Sequence, residues 1–434
     1  MLSLTYLNEL PVVANYDVLV VGAGPAGVCA AVAAARMGSK VGLVERYGCV
    51  GGNLTVGHIG PILGMVSKGT MRDELVTLLG VPNNDMIGNV GLAHDTEKAK
   101  RVLANFVCHE NITVYLQTVL SDVVMDGVTI KGIIITGKEG LQVLYGNIVI
   151  DCTGDGDVAY FSGADYQKGR SDGLMQPVTH EYTLSNIDES KALVCIGDVD
   201  DVEFNGMRFL DFCKICAENG EIPSQLAAVR LHRTVYPGER RVNTTQMNRI
   251  DSTKTKDLFV AEVELRNQIE IITNFLRTHL PGYENCIAIS SGTTLGVRES
   301  RRVMGEYVMK RDDVVSGRRF DDVVVHKAEF VVDIHNPDGP GQAEREVQYS
   351  LPYDIPYRSF VPLRIERLLT AGRCISGTHE AHASYRIMSV CMAMGQAIGT
   401  AAALCAQEQT NPRDLNVLLL QKKLVELGID LYSK

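Results

Sequence analysis

Tyr16-Asp-Val-Leu-Val-Val-Gly22-Ala-Gly24-Pro25-Ala26-Gly27, an alanine-rich run to Met37, Gly38, and then Val41-Gly-Leu-Val-Glu45 form the stretch whose reading decides the fold. Asp17 to Val21 is a short β-branched run, read as a buried parallel strand, and the three-glycine turn comes directly after it. A helix is expected from Ala26 to Met37, ended by Gly38, which can take the left-handed cap conformation. Val41 to Val44 reads as a second strand, with Glu45 at its carboxyl end, 18 residues beyond Gly27. Gly22 makes the turn, Gly24 lets the backbone approach a pyrophosphate, and Gly27 lets helix and strand pack closely. The helix N-terminus meets phosphate charge and Glu45 suits the ribose hydroxyls of an adenosine. A bare glycine-rich turn between two buried elements is the alternative; strand, helix and acid at these spacings favour a dinucleotide.

The residues after Glu45 bear on which dinucleotide it is. Arg46-Tyr-Gly-Cys-Val-Gly51-Gly52-Asn53 places a second glycine pair just after the ribose-binding acid. An NAD-only domain has no need of it, whereas an extended FAD runs its pyrophosphate and ribityl chain past such a loop; a mobile surface loop is the competing explanation. Leu120 to Met125, Val128 to Thr136 and Leu141 to Ile150 read as an antiparallel meander, broken at Asp126-Gly127 and Lys138-Glu139-Gly140. The last run ends in Asp151-Cys-Thr153-Gly154-Asp-Gly156-Asp157, small residues and amides that return to the same cofactor.

From about Ser171 regular alternation of strand and helix stops, and an α+β unit built on an antiparallel sheet is expected. Leu368-Leu-Thr-Ala-Gly372-Arg373 is again an apolar strand ending in glycine, before His379-Glu-Ala-His382-Ala-Ser-Tyr385-Arg386 and a small-residue helix, Val390 to Ala406. The expected fold class is thus α/β: a Rossmann-like FAD-binding domain of glutathione-reductase type, residues 1–170 and 351–434, with a substrate domain inserted at 171–350.

Composition narrows the partners. A formal net charge of −10 without a long basic run argues against nucleic acid. Met1 to Ala14 shows no leader pattern, and the helix after Gly24 is too short to span a bilayer, so a cytoplasmic protein without a membrane partner is expected. The 11 cysteines are scattered in apolar runs, as suits reduced thiols, and a homo-oligomer stays open. Cys213-Lys-Ile-Cys216 reads as two core thiols, and no metal site is expected: the His379–His382 spacing is three rather than the four of zinc proteases, without a third ligand.

With these motifs placed, the chain resembles the FAD-dependent oxidoreductase family of the two-dinucleotide-fold flavoproteins. Gly296-Val-Arg298-Glu299-Ser-Arg301-Arg302, Ile355-Pro-Tyr357-Arg358-Ser and Ala371-Gly372-Arg373-Cys-Ile-Ser-Gly-Thr-His379-Glu380-Ala-His382 extend the resemblance over nearly the whole chain. It implies FAD along the nucleotide domain, with the isoalloxazine at the boundary of the inserted domain, and says little about substrate. Fumarate reductase and aspartate oxidase flavoproteins, and the flavoprotein component of heterodisulfide reductase, are more distantly similar. Cys49 is not followed by a second cysteine at Leu54, which argues against a flavin–disulfide relay.

The expected cofactor contacts are Gly22, Gly24, Pro25, Ala26, Gly27, Glu45, Arg46, Gly51, Gly52, Asn53, Thr153, Gly154, Asp157, Gly372 and Arg373. His379 or His382 is the candidate general acid or base, the alternative being that they only hold structure or flavin. Arg298, with Arg301 and Arg302, is a candidate carboxylate clamp, with His335, Tyr357 and Arg358 opposite and Arg386 near the flavin; each has a structural alternative. His58 is a further candidate for the flavin face. The expected function is hydride exchange between flavin N5 and a small polar substrate, a carboxylate or polyol, with NAD(P)H or another electron carrier as second partner. The alternatives are an electron-transfer subunit of a larger redox complex and a non-redox nucleotide-binding protein of the same fold.

Overall fold

The computed structural model describes residues 9–81, 92–109, 111–194, 202–339, 341 and 348–433; the first eight residues of the Met1–Ala14 stretch lie outside them. The first sheet is built on β1 (Val12–Val21), which leads through Gly22 into helix α1 (Pro25–Arg36) and on to β2 (Val41–Val44). β3 (Ile112–Tyr115) pairs parallel with β2, and β4 (Val119–Asp126), β5 (Thr129–Gly137) and β6 (Gly140–Asp151) form the meander. β6 is shared. Its first half pairs antiparallel with β5, Val143 to Asp151 run parallel to β1, and its last residues pair with the Leu368–Thr370 strand.

The register of these parallel strands positions the site. Val44, Val21, Asp151 and Thr370 are direct partners across four strands, so the four carboxyl ends finish in one row. β1 starts five residues before the expected Asp17, because Val12 to Tyr16 pair with the first half of β6. Val12 and Val13 are exposed there, so no buried periodicity announces that part of the strand.

α1 carries proline in its first turn, where the missing N–H has no intrahelical partner to lose. Its residues from Ala26 to Ala35 are all buried. The cover is the Met388–Glu408 helix, laid against α1 so closely that backbones touch: a Cβ on Gly395 would stand 2.0 Å from the Ala26 carbonyl oxygen, and one on Gly399 2.2 Å from that of Ala30. That helix is long and apolar enough to cross a membrane, but 94% of its apolar stretch is buried inside the fold, which makes it the central core helix here.

A second sheet runs Ile287–Ser291, Tyr182–Ser185, Arg240–Val242, Leu231–Thr234, Leu92–Ala93, antiparallel except for the last pair. Helices Phe209–Glu218 and Thr255–His279 pack on it through Leu210, Cys213, Ile272, Phe275 and Leu276. The antiparallel α+β unit thus has its own core, drawn from residues 182 to 286. Met309, Val314, Val324 and Phe330, inside the stretch expected to be inserted, pack instead into the first core beside the Met388–Glu408 helix. The physical reason is that Val323–Ala328, paired with Tyr353–Pro356, lies against that helix.

Helices Met71–Leu79 and Thr96–Val107 lie between β2 and β3, the second started by the Asp95 side chain, which accepts from the Lys98 amide. Helix Val417–Glu426 starts after an Asn416 cap.

Because the α1 contact leaves no space for a side chain, a Gly399→Val protein should be destabilised by about 1–3 kcal/mol or more, the range for overpacking a core. Thermal unfolding of the variant beside Gly48→Ala, where a Cβ meets only the Gln117 side-chain nitrogen at 3.4 Å, measures this; equal melting temperatures would show that the helices can separate.

Candidate functional site

The row of carboxyl strand ends opens into a groove of about 1100 Å³. Of the expected cofactor contacts, Gly22, Gly24, Pro25, Ala26, Glu45, Arg46, Gly52, Asn53, Thr153, Gly154, Asp157, Gly372 and Arg373 line it. Gly27 and Gly51 do not. Their work is done on the backbone behind it: a Cβ on Gly27 would stand 1.8 Å from the Gly22 carbonyl oxygen, and Gly51, at φ +114, donates its amide to Ala23 O at 2.7 Å. Gly24 is different. A Cβ there would meet nothing within 4 Å, so the space above the start of α1 is kept clear by the absence of a side chain. The first-turn amides of α1 face the same space without intrahelical partners.

Glu45 is fixed by two amides, accepting from Ala23 N at 2.7 Å and Tyr47 N at 2.9 Å. A carboxylate has about four acceptor positions, so two remain for ribose hydroxyls. Burial raises its pKa, against the pull of those amides. Behind Thr153 and Gly154 lies a knot of charge. Asp155 accepts from Arg373 at 2.9 Å and faces Arg46 at 3.6 Å, while Arg301 donates to Asp157 at 2.8 Å. Burial pushes the Asp155 carboxyl up, but Arg373 and Arg46 outweigh it and hold it below its ordinary value. Asp157 goes the other way, raised to about 6 by burial and then by the neighbouring Asp155 and Asp151. These features fit an extended FAD: an open cradle over a helix N-terminus for pyrophosphate, an acid at the ribose position, and a run of small residues between.

A second cavity of about 780 Å³ adjoins the first, with Asn53, Val297, Arg373, Arg386 and Met388 lining both. Arg298, Asp333 and His335 line it from one side, and Glu181, His232 and Asn243 from the second sheet. Arg298 donates to the Pro177 carbonyl at 2.8 Å and reaches Asn243 Oδ1 at 3.5 Å, with no carboxylate partner among the described residues. Its burial, then the nearby Arg386, lower its pKa to about 9. Arg386, by contrast, is tied to Asp333 at 2.8 Å. His335 is held near 3 by burial and by Arg298.

The remaining expected catalytic residues sit elsewhere. His379 Nδ1 pairs with the Glu299 carboxylate at 2.9 Å; Glu299 also takes the Gln176 amide at 3.0 Å and is bridged to Arg302. His382 is fully buried, neither ring nitrogen has a hydrogen-bond partner among the described residues, and burial with Arg302 drives its pKa well below the ordinary value. Neither histidine lines the groove or the cavity, so the expectation of a general acid or base at this pair is corrected: they form the layer behind. Tyr357 is corrected likewise, being buried in the first core with its hydroxyl donating to Pro412 O at 2.9 Å. Arg358 lies on the surface, paired with Asp322 at 2.9 Å. His58 lines a separate cavity with His94 and Arg241, its Nε2 2.9 Å from Thr183 Oγ1. Sequence reasoning missed Glu181, His232, Asn243 and Asp333. They come from separate stretches of the chain, and no spacing pattern links them.

Comparison with known proteins bears on the groove. A family model described as FAD dependent oxidoreductase matches residues 17–424. The soluble pyridine nucleotide transhydrogenase of Hahella chejuensis is 30% identical over 153 residues, which is 32% of this chain and 31% of that protein. The same enzyme of Chromohalobacter salexigens is 40% identical over 77 residues, 18% of this chain and 15% of that protein. The matches thus span less than a third of either of these curated relatives. Among solved structures, a geranylgeranyl bacteriochlorophyll reductase-like protein of Thermoplasma acidophilum is similar at a TM-score of 0.47 and 14% identity, over 96% of this chain and 84% of that one. The p-nitrophenol 4-monooxygenase PnpA of Pseudomonas putida is similar at 0.49 and 12%, over 93% and 83%. The chain belongs to the FAD-dependent oxidoreductase family, and is an oxidoreductase with FAD as its cofactor.

Proposed function

We propose that this oxidoreductase exchanges hydride between flavin N5 and a small carboxylate-bearing substrate, with a nicotinamide nucleotide as its electron partner. The observation that carries it is the common wall of Asn53, Val297, Arg373, Arg386 and Met388, through which the cofactor groove opens onto a cavity holding a buried arginine without an acid partner among the described residues. Bound FAD would supply a two-electron acceptor and donor. Gly24, Pro25 and Ala26 would hold its pyrophosphate, Glu45 its adenosine ribose, and Gly372, Arg373 and Met388 its ring end.

The chain's own residues then bind and orient the substrate. Arg298 offers the planar donor fork that matches a carboxylate, in a site where burial strengthens the attraction. Arg386 is held in place by Asp333, which His335 Nε2 also faces at 3.5 Å. A polyol would leave Arg298 unneutralised, which favours the anionic member of the pair expected from the sequence. Nicotinamide as electron partner is supported by the local similarity to soluble pyridine nucleotide transhydrogenases.

Gly24 has φ −69 and ψ −174, extended backbone open to any residue, so Gly24→Ala should keep the melting temperature of the apoprotein while lowering FAD affinity by about 5- to 150-fold, the equivalent of 1–3 kcal/mol of overpacking. Unchanged FAD affinity by titration would mean that the pyrophosphate does not cross this residue.

Anaerobic flavin spectroscopy against hydroxy acids, enoates, polyols, NADH and NADPH tests the reaction: hydroxy acids should bleach the flavin, or enoates reoxidise it, where matched polyols do neither. Arg298→Lys should raise the KM for the active carboxylate by about 30- to 100-fold, from the loss of a charged hydrogen-bonding fork. A substrate set confined to polyols, indifferent to this variant, would overturn the carboxylate assignment.

A further inference from the structure

Glu181 does not line the cofactor groove, and among the described residues it forms no hydrogen bond to those assigned above to the substrate. It stands at the head of the Tyr182–Ser185 strand, 2% exposed, on the wall of the second cavity. Its side chain accepts a hydrogen bond from the Gly60 amide at 2.6 Å, and no ion pair forms to it among the described residues. An ionised carboxylate has about four acceptor positions, and one amide is poor compensation for its lost hydration. Burial accordingly raises its pKa to about 7, against the pull of Arg241, Arg298 and Arg230. Among the described residues, the same cavity therefore holds a guanidinium without an acid partner and a carboxyl without a basic partner.

The other titratable groups facing this space do not compete near neutral pH. His232 is held near 3 by burial and by Arg230 and Arg241, and His335 is held as low. Asp333 is committed to Arg386, and Arg373 to Asp155. Arg298, at about 9, stays charged through neutrality.

We propose that Glu181 is the proton-exchanging residue of this cavity, serving a carboxylate substrate anchored on Arg298; this rests on the reading of the cavity as a carboxylate site. When an oxo acid is reduced to a hydroxy acid, a hydride from reduced FAD adds to the carbonyl carbon, and the C=O electron pair moves to oxygen and takes the proton of the protonated Glu181 carboxyl. The carboxyl is left ionised beside the product. In reverse the ionised carboxyl takes the hydroxyl proton as the C–H hydrogen leaves with two electrons to oxidised FAD. The assignment replaces His379 and His382, which lie behind the wall.

An anion placed beside Glu181 favours its protonated form, so ligand binding takes up a proton. Affinity is then full below the pKa and falls as pH rises through it. The test uses FAD-loaded protein, propionate as the anionic probe and propionamide as its neutral counterpart, by calorimetry from pH 6 to 8. For the unmodified protein the propionate Kd should rise by about tenfold per pH unit above 7, with about one proton taken up per ligand at pH 8 when buffers of different ionisation heat are compared. Propionamide should show neither effect. Glu181→Gln should bind propionate with no pH slope over this range.

Retention of the slope in Glu181→Gln would overturn the assignment, as would the absence of proton uptake in the unmodified protein, a measurement that needs no variant. If propionate binds no better than propionamide at any pH, the carboxylate reading falls and takes this one with it; binding that depends on Arg298 but not on Glu181 removes Glu181 alone.

Discussion

The structure depends on one steric constraint: backbone must touch backbone on both sides of α1. On the sheet side the Gly27 position admits no Cβ because the Gly22 carbonyl already stands there, and on the other side Gly395 and Gly399 admit none because the Ala26 and Ala30 carbonyls do. The helix is thereby pinned with its first turn over the row of Val44, Val21, Asp151 and Thr370. The cofactor groove is built on that row, since each strand contributes the residues that come immediately after its end.

That is also why so much of the nucleotide half was legible in the chain. The glycine turn, Glu45, the Thr153–Gly154 return and Gly372 are all strand-end residues, and strand ends are marked locally by a change from apolar run to glycine. The second cavity has no such marks. Glu181 and His232 enter from a sheet whose pairings cross some hundred residues, and Asp333 from a stretch beside residues of the first core. The HExH stretch drew attention for its chemistry-bearing side chains, yet nothing local could tell that Glu299 and Arg302 would bury them. Periodicity failed at Val12 for a related reason: an exposed strand held only by its neighbours has no apolar face to display.

The buried Glu299–Arg302–His379 cluster has a structural role. Removing one member of a buried ion pair typically costs about 3–5 kcal/mol because the other is left uncompensated. Arg302 also donates to the Gly377 and Gly169 carbonyls, so the cluster ties the segment before the core helix to the loop that leads into the second sheet. Arg298 directly precedes Glu299 of this layer in the chain, and the Pro177 carbonyl holds its guanidinium at the cavity wall.

The contact between α1 and the core helix has a consequence for how the polypeptide emerges from the ribosome. Pro25 and Met388, at the starts of the two helices, are separated by 363 positions of chain, the difference of their numbers. At about 5–20 residues per second, translation leaves the alanine face of α1 uncovered for roughly 20–70 s. The strand Leu368–Thr370, which completes the row, arrives almost as late. The nascent nucleotide domain is therefore an open half-structure until both have been made, and a premature stop anywhere before that point yields a product with no finished place for its flavin.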